Sequence, residues 1–201
     1  MTTTAARLSD VAHLAGVRAK FKRARRHARD FDAAAQAIVN SRPFELMANL
    51  EDDGSCHIRW KQNGEAPDMT PLALIFSDML YNLRAALDYI AWQLVLANGG
   101  QPGRHTSFPC VSDPAKWDDA VNISLRGIDR RWVDEIAKLQ PFDASHIGAP
   151  EHHPFAILDE ANNLCKHRLL PATLMSATSA NHKIDGLTPG VKMDRFFNDV
   201  P

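Results

Sequence analysis

The chain has 201 residues, 45% of them hydrophobic, and a net charge of −1 at pH 7, a length that suits one sizeable core with at most a small appendage. This balance gives no whole-protein attraction to nucleic acid, although Lys20, Lys22, Arg23, Arg25, Arg26 and Arg29 form a local basic run against acids at Glu51–Asp53 and Asp118–Asp119. Three widely spaced cysteines (Cys56, Cys110 and Cys165) support neither a disulfide framework nor a CxxC zinc site, and point to a reducing cytoplasm.

The start, Met1 to Arg7, lacks the apolar run of a signal peptide. Leu14, Val17, Phe21, Ala24, Ala28, Phe31, Ala35 and Ile38 recur in steps of three and four, which predicts one long helix with a narrow apolar seam. Ser9-Asp10 can cap its start, and Arg42-Pro43 stops it. The basic run lies mostly off the seam, as a solvated face or a phosphate-contacting one. Alanines on the seam allow close approach by a partner helix. Phe44–Leu50 and Cys56–Lys61 flank an Asp53-Gly54 turn signal and read as a β-hairpin at about 44–61. Two strands alone are marginal, so the hairpin is expected to lie against helices.

Thr70-Pro71 opens a second long helix that should reach Ala97 and stop at Asn98-Gly99-Gly100. Phe76, Leu80, Leu83, Leu87, Ile90, Ala91 and Leu94 share one face of it, with Asp78, Tyr81, Asn82, Tyr89, Trp92 and Gln93 opposite. Its apolar end, Tyr89–Ala97, is too short for a bilayer, which needs roughly 20 residues, so no membrane partner is expected. Gln101–Pro114 reads as a long loop pinned by Phe108 and Val111. A helical turn at Ala115–Val121 and a short helix at Asp129–Leu139 follow, the latter with Trp132, Ile136 and Leu139 inward. The last helix spans Pro154–Leu170. Its apolar face is Ile157, Leu158, Ala161, Leu164 and Cys165, and its polar face is Asp159, Asn162, Asn163 and Lys166. Pro171 breaks it, Ala172–Ala180 can continue helically, and 181–201 reads as an irregular tail whose abrupt end suggests truncation. The expected architecture is mainly α: an antiparallel helical bundle with a small hairpin insertion, one domain over residues 1–180.

Two polar clusters stand out. Arg84 and Asp88 are spaced i,i+4 on one helix, as are Asp78 and Asn82. On the last helix Asn163, Lys166, His167 and Arg168 crowd together. One interpretation is structural: Asn82 and Asp88 meet Asn163, Lys166 or His167 in a network that fixes helix register. The other is functional: Arg84, Lys166, His167 and Arg168 converge on an anionic ligand. His152-His153 near Asp159 lacks helical zinc-site spacing, so no metal is expected. No GxSxG, Walker or GxGxxG motif occurs, so no cofactor is implied. Cys165 reads as a small buried hydrophobe.

The ordered segments Ser77–Gly99, Phe108-Pro109, Leu139-Gln140-Pro141-Phe142 and Asn163-Leu164-Cys165-Lys166-His167-Arg168-Leu169-Leu170 resemble a family of uncharacterised actinobacterial and phage proteins. The resemblance spans roughly residues 70–172, and its helical Arg-x4-His element is also similar to that of the HEPN superfamily. Those proteins are small helical bundles, often dimers, that include RNA-cleaving toxins and defence nucleases. Arg84 matches the element's Arg, but Tyr89 stands where its His is expected. Tyr81 replaces an earlier His of the family pattern, and Cys165 replaces an Asp. A tyrosine with a reference pKa of about 10 is a poor base at neutral pH. Arg84 and Tyr89 also point about 140° apart on one helix.

The resemblance implies a cytoplasmic, dimeric RNA-binding protein or degenerate, metal-independent ribonuclease of phage–host conflict or toxin systems. Arg84 and His167 are its catalytic candidates. Lys166, Arg168, Tyr89 and Asn82 are its phosphate or RNA contacts, beside a structural network of Asp78, Asp88 and Asn163. The alternative is a non-catalytic helical interaction protein, self-associating or binding a protein partner through the 14–38 seam. The two differ over Arg84 and His167: an open cleft for the first, buried and mutually satisfied side chains for the second.

Overall fold

The computed structural model describes residues 13–50, 52, 56–143, 149–167 and 182–184. The Ser9-Asp10 cap, the Asp53-Gly54 turn, Arg168 and the 172–180 segment lie outside the described residues. The fold is mainly helical with a small antiparallel sheet: α1 (Ala15–Asn40), β1 (Phe44–Leu50), β2 (Cys56–Gln62), α2 (Thr70–Ala97), α3 (Trp117–Ser124), α4 (Arg130–Ala137), α5 (Pro154–His167) and β3 (His182–Ile184). Among the described residues no helix is long and apolar enough to cross a membrane. Two compact units divide the chain. One holds residues 1–33 and 70–171, the other 34–69 and 172–201.

In the second unit the hairpin carries a third strand. β1 pairs antiparallel with β2 from Phe44↔Gln62 to Leu50↔Cys56, and β2 pairs antiparallel with β3 from Cys56↔Ile184 to Ile58↔His182. Residues 182–184 are therefore strand where the composition of the tail suggested irregular chain. A three-residue strand is invisible to periodicity, and a paired neighbour supplies what an isolated hairpin lacks.

In the first unit, helix limits follow local chemistry. α2 ends in a Schellman arrangement: Gly99 takes φ +75°, its N–H donates to the Leu96 carbonyl (2.9 Å), and the Gly100 N–H donates to the Val95 carbonyl (3.0 Å). The 3-10 turn before α3 starts where Asp113 Oδ1 accepts the Ala115 N–H (3.0 Å). α4 starts where Asp129 Oδ1 accepts the Arg131 N–H (3.0 Å). His153 Nδ1 does the same for Phe155 (3.1 Å) ahead of α5, so that histidine caps a helix.

The core gathers Leu87, Ala91, Leu94 and Val95 of α2 with Phe108, Leu125, Ile128, Val133 and Ile136. The apolar face expected for α2 is inward, and Phe108 and Val111 are buried. Three helix faces differ from expectation. On α4, Val133 is inward while Leu139, just past the helix, is 52% exposed. On α5, Asn162 is 2% exposed, whereas Ile157 and Leu164 of the expected apolar face face solvent. On α1 the inward row is Val17, Lys20, Ala24, His27 and Phe31, with Phe21 and Ala28 outside. α1 runs antiparallel to α2: Gly16 lies against Tyr89, and the Phe31 and Phe76 rings are 5.6 Å apart.

Candidate functional site

Arg84 sits midway along α2, and its side chain is only 14% exposed. Its neighbour one turn on, Asp88, is brought to the same side by the helical repeat, and Nη2 bonds Asp88 Oδ1 at 3.0 Å. The same Nη2 donates to the Phe108 carbonyl at 2.6 Å. Nη1 donates to Asp159 Oδ1 of α5 at 3.1 Å and to Cys110 Sγ at 3.0 Å. Asp88 Oδ1 also accepts the Phe108 N–H at 3.0 Å, so both main-chain groups of Phe108 are held from α2. Asn163 Nδ2 completes the cluster on Asp159 Oδ2 at 3.3 Å.

A guanidinium taken from water must keep its donors engaged, and here two carboxylates, a carbonyl and a sulfur engage it. Burial, the largest influence on Arg84, pulls its pKa down, but Asp88, Cys110 and Asp159 together raise it above the ordinary value. Burial pushes the Cys110 thiol up to about 11, against the opposing pull of Arg84. Cys110 is therefore a neutral thiol at physiological pH.

The loop is fixed from its other end by Gln140, which is wholly buried. Its Oε1 accepts the Val111 N–H at 2.9 Å and its Nε2 donates to the Ile136 carbonyl at 3.2 Å. The Phe142 N–H adds a bond to the Val111 carbonyl at 3.2 Å. The Phe108 ring packs edge-on against Phe155 of α5, 5.5 Å between centroids. Arg84, Asp88, Phe108, Gln140 and Phe142 thus hold one loop between three helices.

The remaining candidates are dispersed. Asn82 is buried, and its Nδ2 donates to the Asp78 carbonyl at 2.7 Å rather than to α5. The Asp78 side chain is exposed, as are Asn163 and Lys166. His167 ends α5, with its side chain outside the described residues along with Arg168. Sequence reasoning placed Asp88 in an interhelical network but missed Asp159 as the acid that crosses from α5. The signal was a carboxylate four residues before Asn163, on the same face of the helix.

Tyr89 belongs to a different surface. Leu74, Tyr81, Tyr89, Trp92 and Leu96 follow one face of α2 and are 42–56% exposed. The Lys20 ammonium of α1 stands 5.2 Å from the Tyr81 ring centre and 6.0 Å from that of Tyr89. Gly16 lets the backbone of α1 meet Tyr89: a β-carbon there would lie 3.0 Å from the ring. Beside it Val17, Tyr89, Trp92 and Gln93 line a depression of about 490 Å³. The outer side of α1 exposes Arg18, Lys22, Arg23, Arg25, Arg26 and Arg29.

No protein-family model, curated protein or solved structure matches the chain.

Proposed function

We propose that this chain is a non-catalytic helical binding protein of HEPN-like type, and that single-stranded RNA is the ligand its exposed face fits. The state of Arg84 carries the first half. A guanidinium that serves a reacting phosphate needs free donors aimed into an open cleft. Arg84 instead spends its donors on Asp88, Asp159, Phe108 and Cys110. Tyr89, in place of the motif histidine and on another face, forms no acid–base pair with Arg84. The antiparallel α1–α2 pair, with α5 joined through Arg84, supports the HEPN-like kinship.

The second half rests on Lys20 between the rings of Tyr81 and Tyr89. Exposed aromatics interleaved with cations are what single strands require: faces for bases to stack on and charge for the backbone. The basic side of α1 extends that charge. The same apolar stripe also suits a second copy of this chain, which one experiment separates from RNA.

A labelled single-stranded RNA of about 10 nucleotides matches the footprint of such a platform. Wild type should bind it without cutting it. Tyr89→Ala with Trp92→Ala should weaken binding by about tenfold or more, since stacking contributes roughly 1–3 kcal/mol per base. Arg84→Ala should lower stability by about 2–3 kcal/mol, a figure discounted because Asp88 and Asp159 are 35% and 37% exposed. Cleavage by wild type that Arg84→Lys abolishes would restore the ribonuclease. No RNA binding, with a dimer lost in the double variant, would assign the face to self-association.

A further inference from the structure

We infer that the groove between the loop after α2 and the end of α3 binds a small phosphate monoester, its phosphate held by Arg104 and Arg126. The inference is independent of the RNA-binding face, because the groove is lined by other residues. Its volume is about 770 Å³, within the roughly 300–1,000 Å³ usual for small-molecule sites.

The charge of the groove is one-sided. Arg104, His105 and Arg126 line it, and no carboxylate does. Other exposed arginines nearby are paired: Arg130 with Asp134 at 2.9 Å and Arg131 with Asp129 at 3.8 Å. Arg126 has no hydrogen bond or ion pair among the described residues. Arg104 uses only Nε, which donates to His105 Nε2 at 2.8 Å. That bond requires His105 to be neutral with its proton on Nδ1, so the imidazole props the guanidinium and leaves both Nη groups unbonded. Both guanidiniums line one groove that offers them no carboxylate, so an anion entering it has two cations to meet. A tetrahedral phosphate has enough oxygens to accept from both forks at once.

The walls are tied before any ligand arrives. The Gly103 N–H donates to Thr106 Oγ1 (2.9 Å) and the Thr106 N–H returns to the Gly103 carbonyl (3.0 Å). The Ser107 N–H donates to the Ser124 carbonyl (3.3 Å), and Asn98 Nδ2 to the Gly127 carbonyl (3.0 Å). These bonds join the loop, the end of α2 and the turn after α3, so little ordering remains for binding to supply. Thr106 Oγ1 accepts within its turn and keeps its own proton to donate. The C-terminus of α2 would oppose an anion, but its last carbonyls already accept N–H groups from the Schellman turn. Ile123, 59% exposed, lines the groove with Val95 and offers an apolar contact for the body of the ester. A single pair of cations in a confined groove fits one phosphate better than a polyanion.

The test follows backbone amide NMR signals of the full chain during titration with inorganic phosphate, a nucleoside 5′-monophosphate and the uncharged nucleoside. Phosphate and monophosphate should shift the Gly103, Thr106 and Gly127 amides saturably, the monophosphate with the lower Kd, and the nucleoside should shift none. Arg104→Ala and Arg126→Ala should each weaken binding about tenfold or more while the Tm of the free protein stays put, since both side chains are exposed. Absence of saturable shifts at these amides up to about 10 mM monophosphate would overturn the site. So would wild-type affinity in both variants. Equal affinity for phosphate and monophosphate would overturn the ester.

Discussion

Arg84 shows how a residue type associated with phosphate binding becomes a structural clamp. The i,i+4 carboxylate of Asp88 does not satisfy it alone, and the difference is made up from a second helix and from main chain. Cys110 shares this environment and supplies a pH signature. Its thiol rises from an ordinary 9.0 to about 11, mainly through burial. Because folding favours the neutral thiol, this contribution is fully present below about pH 9 and is lost as pH climbs through 11. Wild type should lose roughly 2 kcal/mol more than Cys110→Ala between pH 8 and pH 11, after allowing for partial exposure. Urea midpoints at the two pH values measure it. Parallel losses in both proteins would mean that the thiol ionises as freely folded as unfolded.

At the scale of elements, α5 shows one interaction overruling another. Ile157, Leu158, Ala161, Leu164 and Cys165 define an apolar face by spacing alone. Yet Asp159 must point at Arg84, because an uncompensated buried guanidinium costs more than two exposed aliphatic side chains. That rotation carries Asn162, three residues on, into the interior, where its Nδ2 has no hydrogen-bond partner. Asn162→Leu removes the stranded donor while keeping the same branched heavy-atom skeleton and should stabilise the protein by about 1 kcal/mol, read as a higher urea midpoint with an unchanged slope. A lower midpoint would reveal a partner for that amide. The limits of α2 were legible because Pro71 and Gly99 act through neighbouring atoms. The rotation of α5 was not, since it depends on a contact 75 residues away. α1 misled for a related reason: Lys20 counts as polar in a periodic pattern, but its stem packs inward while its ammonium rests over tyrosine rings. The clamp on Phe108 was silent in the sequence because main-chain N–H and C=O groups are present at nearly every residue.

Across the whole molecule, a net charge of −1 conceals a helix whose exposed side carries six cations. RNA binding through that side should therefore depend on salt although the protein is near neutrality. With three or four phosphates contacted and a slope near −0.7 for each, affinity should fall about tenfold or more between 50 and 200 mM salt. Anisotropy titrations at the two concentrations give the slope, and salt-independent binding would remove α1 from the interface. A chain near neutrality thus carries one locally cationic face.

Fixing Phe108 by its main chain has a consequence for divergence. The clamp recognises an N–H and a C=O, which any residue but proline presents, so residues 101–106 can change without disturbing the fastening behind them. The connection after α2 can therefore vary in sequence while the frame that holds it stays the same.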